Sequence, residues 1–472
     1  MKACGGMVMV NENLDPGSAA PAGTGPAAQE LATNVIFIVP DGFGDVAAEA
    51  YELYKGSDPV WKSGFQAHVR TASASSAVTD SAAAATAYAT GVKTNNGSVA
   101  VDTEGNALVS ILSLAHDAGK STGIVTTDVV TGATPAAFAA SEDDRDDTAE
   151  IAQDYIDRDE LTVILGGGRE DFRADPDRDG MTTLREAEAA GFDYVTTADQ
   201  LAASESERVL GLFNFGPVGL PVGNRSSEPT LAEMTDAALD RLDADEDGFF
   251  LVIEAAGTDT WGHANDAASV MRAAAEYENA MQVALDYAAS NPGTLVVTVA
   301  DHETGGMRLD PDGDRTPAAF RPYEAPYVEM FYEAMEAVAD LGFSLSPRSI
   351  IRAVRDTIFD LTGGLVRLER DEILSILDAS SVEEAVLELG SFLNARGGVE
   401  YTTTGHTGAD VSLHAFGPGA DLLEGSVDNT EVGHWLAAAM GLSFPEEQVA
   451  DGALLASGMI PVMGDPWADS LM

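Results

Sequence analysis

Short, almost wholly apolar runs recur along this chain, and each ends at a polar or acidic residue. Their length and their content of Val, Ile, Leu and Phe are typical of strands buried on both faces. Helical patterns separate them, chiefly at 108–117, 231–242 and 267–289. This alternation predicts an α/β fold with a doubly wound, largely parallel central sheet and helices on both faces. The predicted strands are 34–40, 121–127, 161–165, 249–253 and 294–300.

Acidic residues follow four of these runs where the strand ends. They are Asp41, Asp128, Glu254 and the pair Asp301 and His302. Parallel sheets bind ligands at the carboxyl ends of their strands, so these side chains should meet at one edge. A single acid after a strand usually caps a helix or makes a turn, but four together predict a metal site.

Shifts in composition divide the chain into four regions. Residues 1–30 are rich in Pro, Gly and Ala, which predicts a flexible N-terminal segment. Residues 31–309 carry the strand and helix alternation and form the first part of the α/β core. Residues 310–398 show helical patterns without a clear buried strand, which predicts a mainly helical insertion that caps the sheet. Residues 399–472 return to the α/β pattern and form the last part of the core.

The charge balance limits the partners of this protein. Asp and Glu total 78 against 25 Lys and Arg, which gives a net charge of −53. These acids are spread along the whole chain, so the protein repels itself at low ionic strength. At molar salt the Debye length falls to about 3 Å and this repulsion is screened. We interpret the composition as adaptation to high salt, and we expect no nucleic-acid-binding surface.

The first residues bear on where the protein works. The stretch MKACGGMVMV is a weak secretion signal, because its apolar part is short and broken by glycine. Cys4 is the one cysteine of the chain, so no intramolecular disulfide can form. A cysteine followed by a flexible linker is typical of a lipoprotein tether, and the alternative is an idle thiol. No apolar run reaches the length of a transmembrane segment.

An alanine-rich helical pattern begins at Ser81, within the sequence T-D-S-A-A-A-A-T-A-Y-A-T-G at 79–91. Gly91 can end this helix. Ser81 would then lie at a helix N-terminus, where backbone N–H groups and the helix dipole favour a phosphate. Most serines at such places only cap the helix, but the acids and histidines elsewhere favour a functional role here.

Three further motifs combine carboxylates with histidines. Asp259 and His263 are four residues apart and share a face if a helix begins there. Asp301 and His302 close a strand, and His406 lies within T-T-T-G-H-T-G. Mixed nitrogen and oxygen ligands suit zinc, whereas carboxylates and hydroxyls alone suit magnesium.

Taken in order, these elements resemble the alkaline phosphatase family over about 34–308 and again over 401–419. The most specific stretch is D-S-A-A-A-A-T-A-Y-A-T-G-V-K-T-N-N-G at 80–97. The resemblance implies a homodimeric phosphate monoester hydrolase in which Ser81 becomes phosphorylated and Arg145 clamps the phosphate. It also implies metal ligands in three sets: Asp259, His263 and His406 for one Zn²⁺; Asp41, Asp301 and His302 for a second Zn²⁺; and Asp41, Thr134 and Glu254 for Mg²⁺.

The chain departs from the family pattern at two positions. Gly132 stands where the family usually carries Asp or His, so we expect a weak Mg²⁺ site or one that borrows Asp128. Thr260 stands where the family often carries Lys, His or Trp near the phosphate. We therefore expect phosphate to be held less tightly than in the family.

Two acidic loops match the acid and glycine positions of the EF-hand pattern, which binds Ca²⁺. The first, 175–186, runs from Asp175 to Glu186 but has threonine at its eighth position instead of an apolar residue. The second, 243–254, ends at Glu254, which serves better in the metal site described above. Chance matches are expected in so acidic a chain. Ca²⁺ at 175–186 is therefore a weaker prediction than the zinc and magnesium site.

The resulting hypothesis is an alkaline phosphatase acting on small phosphate monoesters and releasing inorganic phosphate, in the periplasm or outside the cell. One alternative is a metal-dependent phosphodiesterase, sulfatase or phosphomutase built on a related core. Another is an acidic cation-binding protein without catalytic activity.

Overall fold

Strand formation follows the apolar runs of the sequence. The computed structural model describes residues 31–178, 180–219, 227–310 and 315–449; the expectations for residues 1–30, including Cys4, lie outside this part. In chain order the strands are β1 Asn34–Pro40, β2 Phe65–Arg70, β3 Ser121–Val129, β4 Val163–Gly167, β5 Asp193–Val195, β6 Val209–Leu212, β7 Phe249–Ala255, β8 Thr294–Val299, β9 Glu303–Thr304, β10 Arg308–Leu309, β11 Val399–Glu400, β12 His406–Thr407, β13 Val411–Phe416 and β14 Gly425–Asp428.

Ten of these strands form one sheet, in the order β14-β2-β13-β8-β1-β7-β3-β4-β6-β5. All neighbours in it pair in parallel except at β13, which runs antiparallel to β2 and β8. The central strands β4, β7 and β8 are buried along their whole length, as expected for strands covered on both faces. The predicted α/β fold with a largely parallel central sheet is confirmed.

Helices cover the sheet on both faces. They are α1 Asp45–Lys55, α2 Ser81–Thr90, α3 Ile111–Asp117, α4 Ala133–Ala139, α5 Thr148–Asp157, α6 Thr183–Ala189, α7 Ala198–Ala203, α8 Leu231–Leu242, α9 Gly257–His263, α10 Ala267–Ser290, α11 Tyr327–Ala339, α12 Pro347–Leu361, α13 Arg370–Asp378, α14 Val382–Arg396, α15 Asn429–Ala439 and α16 Glu446–Val449. Helices α3 and α4 contact each other and also β3 and β7. Helices α8 and α10 contact each other and also β7.

The helical segment expected at 310–398 contains α11 to α14 among its described residues. Its two ends are held together, because β10 just before it pairs antiparallel with β11 just after it. The fourfold division of the chain stays a prediction. Within the described ranges, none of the helices has the length and apolar content needed to cross a membrane.

Candidate metal centre and active site

The carboxyl ends of three central strands bring the predicted ligands together. Asp41 follows β1 directly, and Glu254 lies in β7 in register with Val39 of β1. Asp301 and His302 come just after β8, the other neighbour of β1. All four of these side chains are buried, and Asp301 and His302 have no exposed surface.

Six of the expected ligands form one continuous cluster around His302. One ligand atom from each of Asp41, Asp301 and His302 lies within 4.8 Å of the others. A second group with the same property joins Asp259, His302 and His406. His263 lies beside this second group, with Nε2 3.1 Å from His406 Nε2 and 3.4 Å from Asp259 Oδ2. The structure thus places His302 between the two expected zinc sets.

Several buried polar atoms of the cluster lack hydrogen-bond partners. They are Asp41 Oδ1, Asp301 Oδ2 and Thr134 Oγ1, each on a residue named above as a ligand. Asp301 Oδ2 lies 3.2 Å from His302 Nε2 without a hydrogen bond between them. A buried polar atom without a partner is unfavourable, so these atoms fit a site that receives cations.

Two histidine rings face each other through Nε2. Nδ1 of His263 contacts the Thr404 carbonyl at 2.6 Å, and Nδ1 of His406 contacts the Thr79 carbonyl at 3.0 Å. A carbonyl only accepts, so each Nδ1 carries a proton, and Nε2 is the atom that can bind a cation once it is deprotonated. The two Nε2 atoms face each other at 3.1 Å, an arrangement that a cation between them would stabilise.

The crowding of carboxylates perturbs their proton affinities. Burial, and then the nearby charge of Asp301, raises the pKa of Asp41 well above its ordinary value. Burial also raises the pKa of Glu254 to about 8, with a further contribution from Asp128. A hydrogen bond with Asp259 raises the pKa of His263 to about 8. Without a cation these groups therefore retain protons, and a bound divalent cation would release them.

Ser81 is the first residue of α2 and lies against the cluster. Its Oγ is 3.2 Å from His302 Nε2, and the side chain is almost fully buried. Asp80 caps the helix by accepting a hydrogen bond from Ala83 N, and Gly91 ends it in a left-handed conformation. Every residue of α2 is buried, and the helix packs against α4 and α15. A serine hydroxyl is thus held rigidly beside the predicted ligands.

Arg145 contacts Asp80, the residue that caps α2. Its Nη1 lies 3.4 Å from Asp80 Oδ2, which also accepts from Gly97 N at 2.8 Å. The guanidinium remains one-third exposed, so it can reach a ligand in front of Ser81. Sequence reasoning did not find this tether, and its only signal was the position of Asp80 next to Ser81.

Gly132, which stands where the family usually carries Asp or His, lies close to the carboxylate of Asp128. A Cβ atom at this position would lie only 3.2 Å from Asp128 Oδ2. Thr134, in the first turn of α4, is fully buried and lies near Glu254, but its hydroxyl makes no hydrogen bond of normal geometry. The carboxylate of Asp128 therefore occupies the space next to position 132.

Two threonines that sequence reasoning missed orient the ligands. The Thr126 hydroxyl donates to Glu254 Oε2, and the Thr304 hydroxyl donates to Asp259 Oδ1. With its proton used in this way, Thr304 Oγ1 accepts from His302 Nδ1 at 3.2 Å, which leaves the lone pair of His302 on Nε2. Their position beside Asp128 and Asp301 in the motifs was the only signal for them.

The candidate calcium loop is less well formed. Asp179 lies outside the described residues, and elsewhere in 175–186 no group of three acids brings ligand atoms together. Glu186, the expected last ligand, lies within α6 and accepts from Gln153 Nε2 at 2.6 Å. These contacts give no support to calcium there.

Known proteins share this fold and this order of elements. The family model described as Alkaline phosphatase matches residues 32–442. Alkaline phosphatase 3 of Bacillus subtilis is 32% identical over 423 residues, which cover 86% of this chain and 88% of that protein.

Two solved structures agree with the sequence comparisons. The cold-active alkaline phosphatase of a psychrophilic Shewanella species is 30% identical with a TM-score of 0.76, and the match covers 86% of this chain and 99% of that one. The alkaline phosphatase of Thermus thermophilus is 27% identical with a TM-score of 0.74, over 92% and 99% of the two chains. The chain therefore belongs to the alkaline phosphatase family of phosphomonoester hydrolases.

Proposed function

We propose that this enzyme hydrolyses phosphate monoesters through a phosphoserine at Ser81, with two zinc ions and one magnesium ion, in high salt. One observation carries the proposal. A serine at the start of a buried helix lies 3.2 Å from a histidine whose neighbours are unsatisfied buried carboxylates. That arrangement supports a nucleophile beside side chains that can bind cations.

The metal ions would be held by the residues that the family resemblance names. Asp259, His263 and His406 would hold one zinc ion, with His302 within reach of both zinc sets; Asp41, Asp301 and His302 would hold the other; and Asp41, Thr134 and Glu254 would hold magnesium. When bound, these ions would neutralise the phosphate charge, lower the pKa of the serine hydroxyl and stabilise the leaving alcohol oxygen.

The residues of the chain account for the rest of the reaction. Ser81 Oγ attacks phosphorus while the bond from phosphorus to the alcohol oxygen breaks, and the serine proton leaves with the alcohol. Water then attacks the phosphoserine, which releases inorganic phosphate and restores the Ser81 hydroxyl. Arg145 offers paired N–H donors to the non-bridging oxygens throughout.

The proposal is tested by comparing 4-nitrophenyl phosphate with bis(4-nitrophenyl) phosphate at alkaline pH in molar salt. We expect the monoester to be hydrolysed much faster, because Arg145 and two bound metal ions would neutralise the two negative charges of a monoester. Faster turnover of the diester would instead identify a phosphodiesterase of the same superfamily.

Replacing Arg145 by alanine should raise the inhibition constant for inorganic phosphate by about ten- to a hundredfold, since charge-assisted hydrogen bonds each contribute about 1.5–3 kcal/mol. Competitive inhibition assays measure this directly. Arg158→Ala is the matched control, because Arg158 directly follows α5 and pairs with Asp154 of that helix at 2.7 Å. Unchanged phosphate inhibition in Arg145→Ala would contradict the assigned role.

Asp128 should support the magnesium site in place of a side chain at position 132. We expect Asp128→Asn to weaken magnesium binding by about tenfold, which is the usual effect of losing a supporting carboxylate. Titration calorimetry of the zinc-loaded protein measures the affinity. The exposed Asp117→Asn is the control. If both variants bind magnesium like the parent protein, Asp128 plays no part.

High salt should stabilise the enzyme. With 78 acids against 25 basic residues, lowering the sodium chloride concentration from 2 M to 0.1 M removes screening from a strongly repelling chain. We expect the unfolding midpoint to fall by about 10 °C, measured by calorimetry. Sucrose at equal osmolality serves as the control, since it adds no screening. A midpoint independent of salt would contradict halophilic adaptation.

We further infer a homodimer that works outside the cytoplasm, on the family resemblance alone. Light scattering in molar salt tests the homodimer, and a measured mass equal to that of one chain would contradict it. Cell fractionation tests the second, where enzyme confined to the cytoplasmic fraction would contradict it.

A further inference from the structure

A cavity of about 550 Å³ opens beside the metal centre. It lies between the end of α9 and the helices α11 and α14 of the helical segment. Its walls are mostly apolar and are formed by Ala264, Val328, Val382, Val386 and Leu387. None of these five residues takes part in the reaction described above.

His263 joins this cavity to the metal centre. Its ring lines the cavity, while its Nε2 faces His406 Nε2 at 3.1 Å and Asp259 Oδ2 at 3.4 Å. Thr404 also lines the cavity, and its carbonyl accepts from His263 Nδ1. The cavity is therefore lined directly by one member of the first zinc set.

The cavity lies on the side of the centre away from Ser81. Ser81 Oγ contacts His302 at 3.2 Å, the rings of His302 and His406 stack at 3.6 Å, and His406 contacts His263 at 3.1 Å. These contacts link Ser81 to His263 through His302 and His406. In-line displacement at phosphorus places the attacking and leaving oxygens on opposite sides. A phosphate attacked by Ser81 over this chain of histidines would direct its alcohol towards His263.

We propose that this cavity binds the alcohol portion of the substrate and that the enzyme prefers monoesters of apolar alcohols over those of polyols or sugars. Burial of methylene groups against apolar walls stabilises the complex. The hydroxyls of a polyol would be buried there without hydrogen-bond partners, which is unfavourable. The exposed acid Glu383 at the cavity disfavours alcohols that carry an additional negative charge. This inference rests on the proposed phosphomonoesterase activity.

The test uses ethyl, butyl and hexyl phosphate, whose alcohols have nearly equal basicity. The intrinsic rate of the chemical step is then similar for the three esters, and differences in kcat/KM report how well the enzyme binds the alkyl group. For the native enzyme in molar salt we expect kcat/KM to rise with chain length, by up to about fourfold per buried methylene group. Glycerol phosphate should be a poorer substrate than butyl phosphate.

Two variants in the cavity wall should remove this dependence. Val386→Asp places a charge among the apolar walls, and Val386→Phe fills the space without a charge. Both should flatten the rise of kcat/KM with chain length. Leu374→Asp is the matched control, because Leu374 is an exposed leucine on α13 that does not line the cavity, and it should keep the native dependence.

The possible failures are distinguishable. Hydrolysis of all three esters at equal kcat/KM by the native enzyme would overturn the inference and leave the phosphatase proposal standing. Absence of hydrolysis of any ester would overturn the phosphatase proposal itself. If kcat/KM still rises with alkyl chain length in both Val386 variants, the alkyl group does not bind in this cavity. Dissociation of an oligomer in Val386→Asp but not in Leu374→Asp, seen by light scattering, would show that a second copy covers the cavity and would also overturn the inference.

Discussion

Alanine in place of Ser81 will lower kcat for 4-nitrophenyl phosphate by about 10³-fold or more, because loss of a nucleophile removes the covalent route entirely. The folded structure should tolerate this change. Alanine is the most favourable residue for a helix, and Asp80, which caps α2, is untouched. Residual turnover would come from water attacking a phosphate still held by Arg145 and the metal ions.

Rapid acid quenching followed by mass spectrometry adds a second measurement. The native enzyme should trap phosphate on the peptide that contains Ser81, and Ser81→Ala should trap none. Ser113→Ala serves as the control, because Ser113 lies on α3 and its hydroxyl donates to Glu160 instead of the metal cluster. Activity of Ser81→Ala within tenfold of the native value, or phosphate trapped on another residue, would mean that the nucleophile lies elsewhere.

Removal of the metal ions should have an effect of comparable size. We expect exhaustive chelation to lower turnover by at least about 10³-fold, because the bound ions would neutralise the phosphate charge and activate Ser81. Addition of zinc and magnesium should restore the activity. Full activity in protein shown by elemental analysis to lack zinc and magnesium would contradict the proposed mechanism.

Chelation should also change how stability depends on pH. Burial raises the pKa of Glu254 to about 8 from an ordinary value of 4.5, so the folded, metal-free protein binds a proton that the unfolded chain has lost. The contribution of Glu254 to the stability is then greatest below about pH 4.5 and is lost as the pH rises to about 8. Bound metal ions should oppose this loss. Calorimetry at several pH values measures both states, and Glu254→Gln should flatten the curve of the metal-free protein.

Elements with complete local signals were predicted to the residue. The strand Asn34–Pro40 is a continuous apolar run, and it became β1 with the same bounds. Helix α8 has the predicted bounds 231–242 and begins behind Thr230 with a capping box. In each case the start signal and the apolar pattern lie within a few neighbouring residues, so no distant contact was needed to locate them.

Other elements depend on distant contacts and were not predicted. Strands β5 and β6 are three and four residues long. β5 is the edge strand and is defined by its pairing with β6, which pairs in turn with β4. The candidate site shows the same division. Its carboxylates and histidines follow apolar runs and were found, whereas the contact of Asp80 with Arg145 joins residues 65 positions apart. Only the folded chain brings such pairs together.

Helix α2 has a further consequence for how this enzyme can change. It is built from alanine, serine, threonine and one tyrosine, without a charged residue, and it is buried along its whole length. Gly433 of α15 packs so closely that a Cβ atom there would lie 2.6 Å from the Tyr88 carbonyl. The support of Ser81 thus has almost no freedom to mutate, while the acidic exterior can drift widely. The proposed salt adaptation depends on the surface acids and the proposed catalysis depends on this buried helix, so substitutions at the surface can change the first without disturbing the second.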